Sequence, residues 1–289
     1  MSARIVCLGL ATLDTVFHVP HPPLAGGRVV ATSLTTAGGG PAATAAVTIA
    51  RLGVEVAFVG AVGDDEVGRV VRDELAAEGV DVSELALVAG ADSPRSSILV
   101  ERSTGERAIV HYPGSVPPLE LSPRARELCL AADWLHVDHA GYAHAPREAR
   151  ISIDGGNPIP GLDLHGIALY APTEAALLAA YGSAEGALEA GAELVVATRG
   201  DQGCTAYRAD GTRLRAEGFD VEAVSTLGAG DVFHGALLAQ LVRGFDLATA
   251  LRSANLAAAL SCRALDGRSG IPTQQELDER SSTWQHASQ

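Results

Sequence analysis

Short apolar runs alternate along the chain with longer segments that carry apolar residues on one helical face. The runs at residues 4–10 and 54–59 are continuously apolar, which is typical of strands buried on both faces of a parallel sheet. The same pattern predicts further short strands at residues 134–137, 151–153, 167–170 and 194–198. The chain therefore alternates between predicted strands and the segments that connect them.

Helical periodicity fills most of these connections. Pro41 opens an alanine-rich segment that runs to about residue 52, and residues 66–78 place four apolar side chains on one face. Helices are also predicted at about 173–181, 231–243 and 247–263. Strands that alternate with helices indicate an α/β fold whose central, mostly parallel sheet is flanked by helices.

Three segments depart from this rhythm. Residues 97–101 and 106–112 alternate apolar and polar positions around a four-residue turn, which predicts a β-hairpin outside the main sheet. The stretch between Asp138 and Asp154 is short for a full crossover helix, so one helix is expected to be trimmed. The last nine residues are polar and are expected to be frayed.

Composition and charge exclude several classes of protein. The 289 residues include 35 acidic and 21 basic side chains, a formal charge of −14, so we expect neither a nucleic-acid nor a membrane partner. A nucleotide pocket is compatible with this charge, because local backbone amides can bind phosphates. No apolar run has membrane-spanning length, and the four dispersed cysteines suggest buried free thiols. We expect a soluble cytoplasmic protein.

The segment STLGAGD at residues 225–231 carries the most chemical information. Its small residues allow backbone amides to converge at the start of the following helix, where partial positive charge suits an incoming phosphoryl group. Asp231 could accept a proton from a substrate hydroxyl at this point. An acidic residue at a helix start more often serves only as a cap, and this segment alone favours that structural role.

Three other glycine-rich segments follow predicted strands. The run Gly38-Gly39-Gly40 lets a polyhydroxyl ligand approach the backbone closely, or it forms only a tight turn. TRGDQG at 198–203 suits contact with nucleotide phosphates. The acidic pair in VGDDEVG at 62–68 could cap a helix or hold a metal, and the cap is favoured. The sequence contains no Walker A loop and no strand-anchored dinucleotide-binding G-x-G-x-x-G.

Together, these segments resemble the ribokinase family of carbohydrate kinases, also called PfkB-type kinases. The resemblance spans nearly the whole chain, from Gly9 and Asp14 through the triple glycine, VGDDEVG, the hairpin and TRGDQG to TLGAGDVFHGA. It implies a single domain over residues 1–289 with a ribokinase-like sandwich. It also implies a small β-sheet lid built from about residues 12–19, 28–37 and 96–112. Such a lid has an exposed apolar face, so we expect a homodimer formed lid against lid.

The resemblance implies an ATP-dependent kinase that transfers the γ-phosphoryl group to a sugar hydroxyl. Asp231 would be the catalytic base, and the backbone of Gly228, Ala229 and Gly230 would form the anion hole. Mg²⁺ would bridge the ATP phosphates, while the protein positions the reactants and stabilises charge. In this context the catalytic interpretation of Asp231 replaces the capping one.

The resemblance also implies two ligand subsites. The positions that would bind sugar hydroxyls are Asp14, Gly39 and Gly40. The positions on the side of the ATP phosphates, ribose and adenine would be Thr198, Gly200, Gly203 and Asn255.

Within this family, the chain resembles sulfofructose kinases. The shared strings are GGGPAATAAV, GAGDVFHGAL and the ending GRSGIP. This likeness implies a ketohexose acceptor, or its 6-substituted sulfonate or phosphate derivative, phosphorylated at its 1-hydroxyl. Arg28 and His111 are the candidate partners for an anionic substituent.

Several positions depart from the family pattern and keep other hypotheses open. Ser225 stands where an aspartate helps to hold a monovalent cation, so activation by potassium is an open question. The N-x-x-E motif tied to magnesium reads Thr173-Glu174-Ala175-Ala176, which leaves Glu174 as the candidate metal-associated residue. The alternatives are a nucleoside kinase of the same family and a catalytically weak protein that binds sugar or nucleotide.

Overall fold

The computed structural model describes residues 4–287, in which strands and helices alternate as the sequence pattern predicts. The strands are β1 (Ile5–Leu8), β2 (Thr12–Val19), β3 (Ser33–Gly39), β4 (Val56–Gly63), β5 (Asp81–Val88), β6 (Arg95–Glu101), β7 (Arg107–Tyr112), β8 (Trp134–Val137), β9 (Ile151–Gly155), β10 (Leu169–Pro172), β11 (Leu194–Thr198), β12 (Cys204–Arg208) and β13 (Arg213–Ala216). The α-helices are α1 (Pro41–Arg51), α2 (Glu66–Ala77), α3 (Pro123–Ala131), α4 (Glu174–Tyr181), α5 (Ala184–Glu189), α6 (Ala229–Val242), α7 (Leu247–Ser261) and α8 (Gln274–Ala287).

The central layer is a nine-stranded sheet in the order β13-β12-β11-β10-β9-β8-β1-β4-β5. Its strands pair in parallel from β11 to β5, whereas β12 and β13 add an antiparallel edge. One face packs against α1, α2, α6, α7 and α8, and the other packs against α3, α4 and α5. This is the ribokinase-like α/β sandwich that the resemblance implies.

Burial on both faces explains the continuous apolar runs. In β1, Ile5 and Cys7 belong to one core layer, while Val6 and Leu8 belong to the other. On the first face α6 packs so closely on α1 that a Cβ at Gly235 would lie 2.5 Å from the carbonyl oxygen of Ala45. All four cysteines are free and buried, as expected.

A second, four-stranded sheet in the order β3-β2-β6-β7 forms the predicted lid. The hairpin β6–β7 and strand β2 fall where the sequence indicates, but residues 28–32 are not part of a strand. The chain from 20 to 32 is an exposed loop containing three prolines and two glycines, which do not favour regular strand pairing. The lid segment predicted at residues 28–37 therefore begins at Ser33 instead of residue 28.

The connections differ from expectation at several places. The segment between β8 and β9 carries only a 3₁₀ turn at Tyr142–His144, so the trimmed crossover helix is confirmed. The sequence analysis missed the edge strands β5, β12 and β13 and the helices α3 and α5, because their partly exposed residues lack a long apolar run. The expected frayed end is wrong as far as residue 287, since α8 continues to that point, and residues 288–289 lie outside the described range. No helix within residues 4–287 is both long and apolar enough to cross a membrane.

One buried carboxylate joins three of these elements beneath the lid. Oδ2 of Asp138, just after β8, accepts hydrogen bonds from the amides of Leu10 at 2.8 Å and Ala42 at 3.2 Å. Oδ1 accepts from the amides of Ala140 at 2.8 Å and Gly141 at 2.9 Å. Asp138 thus fixes the loop after β1, the first turn of α1 and its own loop relative to one another.

We expect Asp138→Ala to destabilise the protein by at least about 3 kcal/mol, because four amides lose a charged acceptor inside the structure. The midpoint of urea unfolding would measure this loss. Asp133→Ala is the matched control, because Asp133 forms an exposed ion pair with Arg4 and its removal should cost less than about 1 kcal/mol. Equal losses for the two variants would contradict the role assigned to Asp138.

Candidate active site

A cavity of about 1160 Å³ lies between the lid and the carboxyl ends of the parallel strands. The loops that follow β1, β8, β9, β10 and β11 all contribute to its wall, as is usual for ligand sites in open α/β sheets. The beginnings of α1 and α6 complete the floor. The cavity therefore brings together the glycine-rich segments that are far apart in sequence.

The start of α6 presents a glycine-rich turn to this cavity. Gly228 precedes the helix with φ of 75°, in the left-handed region that favours glycine, and a Cβ there would lie 3.0 Å from Gly267. A Cβ at Gly230 would meet no atom within 4 Å, so the backbone at this point is open to a ligand. Asp231 lies in the same first turn and also lines the cavity.

The capping pattern distinguishes the two helices that begin at the cavity. Side chains cap α2, α3, α4, α5 and α7, whereas no side chain of the preceding residue caps α1 or α6. The amide of Ala229 donates a hydrogen bond of 3.3 Å to the carbonyl oxygen of Thr226, whereas the amides of Gly230 and Asp231 have no acceptor among the described residues. Uncapped amides together with the helix dipole suit an anionic ligand, as the predicted anion hole requires.

Charged groups from several elements surround Asp231. The pKa of Asp231 is well above the usual carboxyl value, because the group is enclosed by protein and lies near the carboxylates of Asp154 and Asp138. His234 and Arg107 act in the opposite direction and favour the ionised form. The balance among these neighbours determines the pH range in which the carboxylate can accept a proton.

The predicted sugar-binding residues also meet at the cavity. Asp14 on β2 faces inward, and its Oδ1 accepts a hydrogen bond of 2.8 Å from Thr12. A Cβ at Gly39 would lie 2.0 Å from Oδ2 of Asp14, so only glycine allows this approach between carboxylate and backbone. Burial raises the pKa of Asp14 despite the lowering effect of its hydrogen bonds.

A buried arginine that the sequence analysis did not assign to the site supports the glycine run from behind. Nη2 of Arg268 donates a hydrogen bond of 2.8 Å to the carbonyl oxygen of Gly39. Oε2 of Glu74 accepts one of 2.8 Å from the amide of Gly38. Burial lowers the pKa of Arg268 to about 10, so the side chain stays charged at neutral pH. Arg268 and Glu74 thus hold the backbone that faces the predicted sugar.

The inward face of the lid supplies the remaining polar groups over this subsite. Asp14, Ser96 and His111 are lateral neighbours on three adjacent strands, and Nδ1 of His111 lies 3.4 Å from Oγ of Ser96. Nη1 of Arg107 donates a hydrogen bond of 3.0 Å to Oγ1 of Thr226. Arg107 therefore links the lid to the loop that precedes the predicted anion hole.

The predicted nucleotide residues lie at the other end of the cavity. Thr198, Gly200 and Gly203 line it at the end of β11, and φ of 80° at Gly203 lets the loop turn back toward β12. Asn255 lines it as well, but its Nδ2 donates to the carbonyl oxygens of Ala216 and Glu217 at 3.0 and 2.9 Å. Asn255 thus positions the end of β13 and does not offer these protons to a base.

Two predicted residues are not brought into the cavity. Arg28 lies in the exposed loop 20–32 and does not line the cavity. Arg28 and His111 are therefore not brought together around one anionic substituent, as had been expected. The side chain of Glu174 is 45% exposed and lies 4.0 Å from Arg199, whose charge it neutralises in part. Residues 4–287 contain no group of three or more acidic, histidine or cysteine side chains that could hold a metal.

Several cavity residues were missed by the sequence analysis. His139, Asp154, Asn157 and His234 line the cavity next to the predicted residues. Asp154 lies at the end of β9 and Asn157 lies two residues beyond it, so their position at a strand's carboxyl end was a usable signal. His234 carried no comparable signal, because it looks like part of an apolar helix.

Comparison with known proteins defines the class to which this site belongs. The family model described as pfkB family carbohydrate kinase matches residues 2–149 and 166–274. The chain belongs to this family. Its members are phosphotransferases that act on sugar hydroxyls, and ribokinase-type homologues bind ATP and Mg²⁺.

Individual relatives agree with this assignment over nearly their full lengths. The chain is 31% identical to the ribokinase of Bacillus subtilis, which covers 96% of this chain and 99% of that protein. It is 26% identical to the ketohexokinase of Mus musculus, with 93% and 98% covered. The structure of Arabidopsis thaliana ribokinase complexed with ribose and ATP shares the fold, with a TM-score of 0.81, 22% identity and coverage of 96% and 98%.

We expect Arg107→Ala to lower kcat/KM for phosphoryl transfer by about tenfold to a hundredfold, because it removes a charged hydrogen bond between the lid and the 225–231 loop. Steady-state rates at varied sugar concentration and saturating ATP would measure the effect. Arg102→Ala is the control on the same hairpin, since Arg102 does not line the cavity. A similar loss in both variants would contradict a specific role for Arg107.

Proposed function

We propose that this protein transfers the γ-phosphoryl group of ATP to a hydroxyl of a ketohexose-type sugar, with Asp231 as the catalytic base. The observation that carries the proposal is that Asp231 lines the same cavity as the predicted sugar residues Asp14 and Gly39 and the predicted nucleotide residues Gly200 and Gly203. Gly200 and Gly203 follow β11, which is four strands away from β1 in the sheet, whereas Asp14 and Gly39 belong to the lid strands. A hydroxyl held beside Asp231 would then face the terminal phosphate of a nucleotide.

The proposed reaction requires three actions from the chain. The Asp231 carboxylate accepts the proton of the sugar hydroxyl as its oxygen bonds to the γ-phosphorus and the bond to the leaving ADP oxygen breaks. The amides at Gly228, Ala229 and Gly230 stabilise negative charge on the transferring group. When bound, Mg²⁺ neutralises part of the phosphate charge. Closure of the lid excludes water, which would otherwise compete as the acceptor.

The shape and charge of the sugar end support a polyhydroxyl acceptor. Asp14 and the backbone at Gly39 and Gly40, which line the cavity, suit hydroxyl groups, which donate to the carboxylate and pack against glycine. The inward lid face carries Ile98, Ile109 and His111 over this end. The lid strands thus offer no tyrosine, tryptophan or phenylalanine on this face for stacking on a nucleobase, which favours a sugar over a nucleoside.

A further choice within this proposal is whether the acceptor sugar carries an anionic substituent at carbon 6. Arg28 is not available to the cavity, so an anionic group would depend on His111, His139 and Arg107. The nearby carboxylates of Asp14 and Asp154 disfavour a second anion. We therefore favour a neutral ketohexose and treat a sulfonated or phosphorylated ketohexose as the alternative acceptor.

We expect the purified protein to consume ATP with fructose or tagatose, and with lower efficiency when the acceptor is sulfofructose, a sugar phosphate or a nucleoside. Coupled ADP release across this panel, with and without potassium, measures the preference. Ser225 lacks a carboxylate and its Oγ accepts a hydrogen bond from the amide of Leu227, so we expect a change of less than about twofold on adding potassium.

Asp231→Asn is the control for this panel. It should lower kcat by about 10² to 10⁴-fold, which is the usual contribution of a general base, while ATP binding is retained. A folded wild type that binds ATP but phosphorylates no acceptor would instead support the binding-protein hypothesis. Preference for a nucleoside or an anionic ketose would replace the neutral ketohexose in the proposal.

We also propose that the outward face of the lid joins two copies of the chain. Thr15, Ser97 and Val110 form one outward row across adjacent strands, and Phe17 with Leu34 belongs to the next row. Val110 is 72% exposed and Leu34 is 58% exposed. A sheet face with such exposed apolar side chains and free edge strands is suited to a symmetric contact.

We expect the wild type to be a dimer at micromolar concentration and Val110→Asp to be a monomer, because a buried unpaired charge would oppose the contact. Light scattering coupled to size-exclusion chromatography measures the masses. Val70→Asp on α2 provides the control, since Val70 is exposed on a different surface and should leave the dimer intact. A monomeric wild type, or dissociation by both variants, would contradict the proposal.

A further inference from the structure

A buried histidine–aspartate pair lies at the floor of the cavity and has no part in the reaction described above. Nδ1 of His234 on α6 lies 3.2 Å from Oδ2 of Asp154 at the end of β9. Both side chains are almost fully buried. Oδ1 of Asp154 accepts a hydrogen bond of 2.7 Å from the amide of Gly156, so the carboxylate is held on its other side.

The pair is placed next to the proposed base by the helix itself. His234 follows Asp231 by three positions on α6, and residues with this spacing lie on the same helical face. Asp154, Asp231 and His234 all line the same cavity. Two carboxylates and one imidazole thus share one volume at the cavity wall.

Groups from every neighbouring element set the charge of this volume. His136 on β8 is adjacent, with its ring centroid 5.7 Å from that of His234, but burial lowers the pKa of His136 to about 3 and leaves it neutral. Asp138 after β8 adds negative charge near Asp231, and Arg107 on β7 adds positive charge. Arg268 also lies within electrostatic range of Asp231 but is held under the glycine run.

The protonation state of the ring follows from these contacts. Burial alone would lower the pKa of His234, but Asp154, Asp231 and a hydrogen bond to the backbone of Ala171 raise it overall. For Asp154, burial opposes ionisation, yet the charge of His234 brings its pKa well below the usual value. A charged imidazolium between the two carboxylates is therefore the arrangement that both partners favour.

We propose that His234, held by Asp154, is a positioning residue whose positive charge keeps Asp231 ionised and so sets the lower pH limit of catalysis. This inference rests on the proposed role of Asp231 as the base. Without the imidazolium, Asp231 would face Asp154 and Asp138 with one fewer compensating charge. It would then retain its proton to higher pH, and only the deprotonated form can accept a proton from the sugar.

The test is the pH dependence of kcat/KM in wild type, His234→Asn and the double variant Asp154→Asn/His234→Asn. An opposite charge at this range shifts a carboxyl pKa by about 1 to 3 units, so the acidic limb of His234→Asn should move to higher pH by at least about one unit. The double variant should move back toward the wild-type position, because the uncompensated carboxylate is gone. His136→Asn is the matched control, since it removes a neighbouring ring without removing charge.

Nitrogen NMR of histidine-labelled wild type gives a second readout that needs no turnover. The ring of His234, assigned by its absence from the variant, should carry protons on both nitrogens at pH 7 and lose one in Asp154→Asn. His234→Gln replaces His234→Asn throughout if the latter does not fold. A neutral ring at pH 7, an unmoved acidic limb in the single variant, or the same shift in His136→Asn would each overturn the inference. Absence of turnover in wild type at every pH would instead count against the proposed function.

Discussion

The geometry of the cavity depends on the single buried carboxylate of Asp138. Its two oxygens accept four backbone hydrogen bonds from the loop after β1, the first turn of α1 and the loop after β8, all at the carboxyl edge of the parallel sheet. A Cβ at Gly9 would lie 2.2 Å from Oδ1 of Asp138, so this loop tolerates only glycine. Because the carboxylate is buried and accepts all of these bonds, it fixes where α1 begins and where the predicted sugar subsite lies.

The same constraint appears in how the chain treats its helix starts. In most helices, the side chain of the preceding serine, threonine or aspartate accepts a hydrogen bond from an amide of the first turn. At α1 the amide of Ala42 donates to the distant Asp138, and at α6 no side chain caps the first turn, whose Ala229 amide donates only to the carbonyl oxygen of Thr226. Local side-chain caps are thus absent at the two helix starts where a polar ligand or a distant carboxylate can accept from the amides.

Charge in the cavity is arranged in pairs that differ in function. Arg268 and Glu74 brace the glycine run from behind, whereas His234 and Asp154 lie beneath the base. The carboxylates of Asp14 and Asp231 remain facing the open volume, and burial raises the pKa of each. An acidic protein can therefore hold a nucleotide site, because backbone amides and a few placed cations act locally.

The sequence by itself determined the α/β alternation and the hairpin of the lid, and only its family resemblance implied that Asp231, Asp14 and the glycine loops belong to one site. Local rules suffice for the alternation, since burial imposes apolar runs on β1 and β4, and glycine is required where φ is positive. Only the tertiary structure decided that Arg28 lies outside the cavity while Arg107, Arg268 and His234 reach it or support it. Those outcomes depend on which strands become neighbours and on which buried polar side chains then require a hydrogen-bond or charge partner. Local periodicity predicts neither.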